Sequence, residues 1–146
     1  MVFYKVKSVT ALPDYVLLVH FANGIAKQYA VAPLFDAIPD FRAFQTTPGF
    51  FEQVRVDAGG YGISWNDDLD LACNELWENG TQVDTPFAGL LSFADATAMW
   101  GLSESTLRKA VAYRKLIEGV DVQKYGKQWI VTRSAMEREY GMLNIQ

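Results

Sequence analysis

Four side chains in the C-terminal third are spaced for contact with nucleic acid. Stepping 100° per residue, Ser105, Arg108, Lys109 and Ala112 fall on one face of a helix, with Lys115 at its margin. Leu107, Ala110 and Val111 fall on the opposite face and form its inward side. The outward face offers cations for phosphate or guanine, a hydroxyl, and a small methyl for thymine. Ser103 and Thr106 stand at the start of this helix, where free backbone N–H groups can meet a phosphate. Arg114 counts to the inward side and is expected to reach the rim.

Those side chains need an element to hold them and a second to brace it. Ser92 precedes Phe93-Ala94-Asp95, a serine cap with an acid three residues on. Phe93, Ala96, Thr97 and Trp100 then repeat at i, i+3, i+4 and i+7. Gly101 ends that helix, Leu102 enters the turn, and Ser103 caps the next. Residues 120–132 read as a β-hairpin with Gly126-Lys127 at its tip, carrying Lys124 and Lys127. A last helix over 135–140 begins at Arg133 or Ser134 and ends at Gly141. Two helices, a hairpin and a closing helix compose a small winged helix-turn-helix, with the hairpin as wing.

The run Trp-Gly-Leu-Ser-Glu-Ser-Thr-Leu-Arg-Lys-Ala, residues 100–110, resembles the DNA-binding modules of phage excisionases and MerR-type regulators. The likeness covers about residues 90–141. It implies that Ser105, Thr106, Arg108 and Lys109 are DNA contacts. Two features depart from that pattern: the longer path 113–119 before the hairpin, and no long dimerisation helix after it.

Other reactive residues lack partners in the sequence. His20, the sole histidine, ends an apolar run and is read as a structural strand residue. Cys73, the sole cysteine, excludes an internal disulfide, and its neighbours Asp70 and Glu75 do nothing to activate a thiol. Asp67, Asp68 and Asp70 lack the ligand count, turn glycine and distal glutamate of a calcium loop, and read as helix-capping residues. Ala58-Gly59-Gly60-Tyr61-Gly62 lacks the lysine of a phosphate loop and reads as a turn. No nucleophile–base–orienter set emerges, so neither an enzyme nor a cofactor or metal is expected.

The 146 residues are half hydrophobic and 14% aromatic, which suits packed cores and excludes disorder. The net charge of −4 averages two unlike parts. Residues 1–84 carry 5 Lys and Arg against 11 Asp and Glu, a balance of −6; residues 85–146 carry 8 against 6, a balance of +2. That contrast places a boundary near Asp84-Thr85-Pro86, and a division into domains 1–82 and 88–146. No signal peptide or membrane span is read in the sequence, and a cytoplasmic protein is expected.

The first part reads as an α+β unit. A three-stranded antiparallel meander is expected over 5–31, turning at Leu12-Pro13-Asp14 and at Asn23-Gly24, where both residues tolerate positive φ. Residues 40–44 read as one helical turn, 50–56 as a strand, and 61–65 as a strand returning from Ala58-Gly59-Gly60. Asn66-Asp67-Asp68 is expected to cap a helix through Leu69, Leu71, Ala72, Leu76 and Trp77, ended by Asn79-Gly80 in the left-handed conformation. Residues 79–88 read as a linker pinned by Phe87, Leu90 and Leu91. The order of 15–21, Asn23-Gly24, Gly62-Ile63-Ser64-Trp65 and Asp68-Leu69-Asp70-Leu71 resembles a small bacterial family of unknown function with a mixed α/β fold. The likeness covers about residues 3–80; such proteins look like neighbours or partners of small toxin-like proteins, which implies protein binding and no known chemistry.

Together these features point to a sequence-specific binder of double-stranded DNA, a small transcriptional regulator. The alternative is an antitoxin-like or adaptor protein acting through its acidic N-terminal unit. An excess of +2 is small for a DNA-binding unit, so a homodimer or a protein partner is expected to complete the site.

Overall fold

The structure, a computed structural model, describes residues 2–143. The chain divides into one unit ending at Pro86 and a second beginning at Phe87.

The first unit is built on the meander β1 (Val6–Leu12), β2 (Val16–Phe21) and β3 (Ala26–Ala30). Neighbouring strands run antiparallel, and the alternation of β2 buries Leu17, Val19 and Phe21. The Asn-Gly turn works differently from expectation. Only Gly24 takes positive φ (90°), while the Asn23 side chain accepts from the Ile25 N–H at 3.0 Å. At the other turn Asp14 and Tyr15 both adopt the left-handed conformation, at φ 65° and 59°.

Helix α1 (Leu34–Ala37), a 3₁₀ turn at Pro39–Arg42 and α2 (Ala43–Thr46) follow. Each is short for a local reason: Ile38, before Pro39, is forced extended (φ −131°), and Thr47 before Pro48 likewise (φ −120°). Their phenylalanines turn inward. Phe44 lies 4.6 Å from Trp65 and 5.2 Å from Phe51 between ring centroids. Each such buried ring contributes on the order of 2–3 kcal/mol.

This cluster overturns the strand expected over 50–56. Phe51–Gln53 is a 3₁₀ turn, because Phe51 is buried and its carbonyl accepts from the Trp65 indole N–H at 2.8 Å. Only β4 (Arg55–Val56) pairs with β5 (Gly62–Ser64). The helix expected from Leu69 is also corrected. Asn66 Oδ1 accepts from the backbone N–H groups of Asp68 and Leu69, closing a turn that returns as strand β6 (Asp70–Ala72). The side chain therefore caps a hairpin, and the helix α3 begins only at Cys73 (Cys73–Asn79). Part of the segment read as linker is strand β7 (Thr81–Val83), which extends the meander sheet in the order β1-β2-β3-β7.

The second unit opens on β8 (Leu90–Ser92), α4 (Phe93–Trp100) and α5 (Glu104–Ala112). The hairpin β9 (Val122–Tyr125) and β10 (Gln128–Thr132) leads into α6 (Arg133–Tyr140). β10 is central, pairing antiparallel with both β8 and β9. Phe93, Leu107, Leu116, Val131 and Met136 meet in a core of their own. Of the three apolar residues expected to pin residues 87–91, Leu91 is buried, whereas Phe87 and Leu90 are exposed.

Among the described residues, no helix is long and apolar enough to cross a membrane.

Candidate nucleic-acid interface

The two helices of the second unit are set by their ends. Ser92 Oγ accepts from the Asp95 N–H at 3.0 Å and starts α4. Gly101 stops it in the left-handed conformation (φ 67°), with Leu102 N–H bonded back to the Thr97 carbonyl. Ser103 Oγ then accepts from the Thr106 N–H at 3.2 Å and starts α5. Leu107 and Ala110 are buried, which turns the opposite face of α5 outward.

Ser105, Arg108, Lys109 and Ala112 are all exposed on that outward face. Ser103 and Thr106 are exposed too, but their hydroxyls have work already. Ser103 Oγ lies 2.9 Å from Thr106 Oγ1 and 3.0 Å from Ser105 Oγ, a network that closes the first turn. Glu104 opens the helix with an exposed carboxylate, which partly offsets the positive end of the helix dipole.

Beyond Ala112 the helical count no longer applies. Lys115 and Leu116 both send their N–H groups to the Ala110 carbonyl, and Arg114 turns left-handed at φ 63°. Arg114 is therefore exposed instead of inward-facing. Lys115 leaves the margin of the α5 face and sits over the Tyr140 ring at 4.6 Å. Tyr113, to which the sequence assigned no role, is 82% exposed beside them.

On the hairpin, Gly126-Lys127 is the two-residue turn, with positive φ (61°) at Gly126 alone. Lys127 stands at its tip and is exposed. Lys124 pairs with Trp129 across the strands and lies 5.8 Å above its ring, which stacks on Phe93.

A second set of residues was missed because its members lie 17 positions apart. Arg138 donates to both oxygens of Asp121, at 3.1 and 2.9 Å, and Asp121 also accepts from the Ile117 N–H at 2.9 Å. The Arg138 hydrogen bonds hold the Asp121 carboxyl below its usual range, against the opposing effect of burial. This pair ties the loop after α5 to α6. The ion pairs of this unit engage Arg133 with Glu137 and Arg138 with Asp121 and Glu139. Among the described residues they leave Arg108, Lys109, Arg114, Lys115, Lys124 and Lys127 outside any ion pair.

The reactive residues of the first unit stay apart. His20 Nε2 lies 3.2 Å from Thr85 Oγ1. Cys73 is buried, and burial raises its thiol pKa. Asp67 and Asp68 lie in the β5–β6 turn and Asp70 opens β6, and among the described residues no group of three or more His, Cys, Asp or Glu is placed to hold a metal ion.

Residues 6–82 match the model of a family described as protein of unknown function (DUF2442). Residues 84–145 match a model described as helix-turn-helix domain. No curated protein matches the chain. Among solved structures, that of a candidate DNA-binding protein from Nitrosomonas europaea is 21% identical, with 77% of this chain and 72% of that chain covered at a TM-score of 0.43. At that distance no property is carried across.

Proposed function

From a chain that belongs to the DUF2442 family through its first unit and carries a helix-turn-helix domain after it, we propose a sequence-specific DNA-binding protein that acts as a transcriptional regulator. The observation that carries the reading is the outward face of α5. It is capped, braced by α4 through Gly101, and presents Arg108 and Lys109 outside any ion pair among the described residues. In the major groove, such a face reads base edges through the two cations, Ser105 and the Ala112 methyl. Ser103 and Thr106 hold the first turn, whose backbone N–H groups take a phosphate. Lys124 and Lys127 make the hairpin a wing that follows the adjacent backbone, and Lys115 adds a phosphate contact beyond the helix end. The Gly-Leu-Ser turn running into Ser-Thr-Leu-Arg supports a module of the excisionase and MerR kind.

The test is a gel shift on the DNA upstream of the protein's own coding sequence. Replacing Arg108 and Lys109 together by alanine is expected to abolish the shift while circular dichroism stays unchanged. Undiminished binding by that folded variant rejects the assigned face.

A further inference from the structure

A second candidate site lies in the first unit and is independent of DNA binding. Strand β7 stops pairing at Gln28↔Thr81, so Tyr29 and Ala30 at the end of β3 have no strand neighbour on that side. Between them and α3 opens a cleft of about 530 Å³. That volume is within the range of small-ligand sites, roughly 300–1,000 Å³. Its lining includes the apolar residues Ala30, Pro33 and Leu34 and the polar residues Tyr29 and Glu75.

The polar lining is organised. The Tyr29 hydroxyl donates to Glu75 Oε2 at 2.7 Å, which fixes the carboxylate; among the described residues no donor is bonded to Oε1. Burial first, and Glu75 second, raise the Tyr29 pKa, so the hydroxyl remains a donor across the neutral range. Among the described residues no cation pairs with Glu75. The nearby Lys27 is committed elsewhere: its ammonium donates to the Trp77 carbonyl and lies 3.9 Å above the Trp77 ring. A carboxylate held in place, facing an open cleft and lacking a counter-charge, selects a cation. The surrounding balance of −6 over residues 1–84 draws in the same sign.

We propose that the β3–α3 cleft binds a cationic group carried on an apolar stem, the chemistry of an arginine or lysine side chain. The guanidinium or ammonium meets Glu75, and the methylene stem lies along Ala30, Pro33 and Leu34. The source is either a free amine or guanidine of low molecular weight or a basic side chain presented by a polypeptide.

Calorimetric titration of the full chain separates these. The probes are agmatine and the capped peptide acetyl-Ala-Ala-Arg-Ala-Ala-amide. Saturable binding is expected for at least one; tighter binding of agmatine identifies a small-molecule site, and tighter binding of the peptide a polypeptide-docking site. Glu75→Gln keeps an acceptor for the Tyr29 hydroxyl and so preserves the cleft. It is expected to weaken binding by about tenfold or more, the loss of one charge-assisted hydrogen bond. Glu78→Gln, on the same helix but outside the cleft lining, is expected to leave binding within about twofold of the parent. Absence of saturable binding by both probes overturns the proposal, as does equal weakening by the two variants. Neither result bears on the α5 face.

Discussion

Glu104 sets the sign of the surface at the first turn of α5. Its carboxylate is exposed at the first helical position, where it stabilises the helix by about 0.3–1 kcal/mol through the dipole. The same position faces any phosphate that approaches the free N–H groups. Glu104→Gln is therefore expected to tighten DNA binding at low salt and to lower the melting temperature slightly. Filter binding and a thermal melt measure both; unchanged affinity places the first turn away from the phosphate path. The residues on this face could be listed from spacing alone, because Ser103, Leu107 and Ala110 fix the phase of the helix within one turn of each contact. Arg114 and Lys115 could not. Ala112-Tyr113-Arg114-Lys115 contains no helix breaker, and the helix ends there because Leu116 is drawn into the core. That cause lies in tertiary packing, outside the reach of a helical count.

At the scale of elements, two glycines end helices for different physical reasons. Gly101 occupies φ 67°, and a Cβ built there meets nothing within 4 Å. Gly101→Ala is thus expected to cost about 1–2 kcal/mol, from left-handed strain alone. Gly80 has an ordinary φ of −81°, so the left-handed conformation expected from Asn79-Gly80 is not used. Its Cβ would instead lie 2.5 Å from the Leu76 carbonyl oxygen and 3.2 Å from Lys27 Cβ. Gly80→Ala should cost about 1–3 kcal/mol by overpacking against backbone that cannot step aside. Asn or Asp, which tolerate the left-handed region, should partly rescue position 101 and fail at position 80. Chemical denaturation of the alanine and asparagine variants at both sites measures this, and equal tolerance of Asn at both sites would contradict the distinction. The contrast also explains which elements were legible. Helices α4, α5 and α6 have side-chain caps at Ser92, Ser103 and Thr132, local signals that need no partner. In 50–79 the deciding contacts are remote: the Phe51 carbonyl waits for Trp65, and Asn66 closes a hairpin whose return strand pairs with β5. Asn-Asp-Asp looks the same before a helix as in a turn.

For the whole molecule, the deciding quantity is how many positive charges remain for DNA. The opposite balance of the two parts is plain in composition, yet the balance of +2 understates the candidate surface. Arg133 and Arg138 are taken up with Glu137, Asp121 and Glu139 around α6, pairings that bring together residues 4, 17 and 1 positions apart. Those pairs withdraw acid as well as base, and leave Arg108, Lys109, Arg114, Lys115, Lys124 and Lys127 against Asp95, Glu104 and Glu118. If each of these cations displaced one counterion, a single chain would show a slope of log K against log salt no steeper than about −5. Two chains on one site would approach about −11, and would supply the second half of the contact that one weakly charged module lacks. Fluorescence anisotropy across a salt series, on a duplex of two helical turns, distinguishes the two. Because the first unit is acidic and repels the same phosphates, the measured slope for one chain is expected to fall short of its limit. A value steeper than that limit therefore requires two copies, and a value near zero removes the phosphate contacts from the reading altogether.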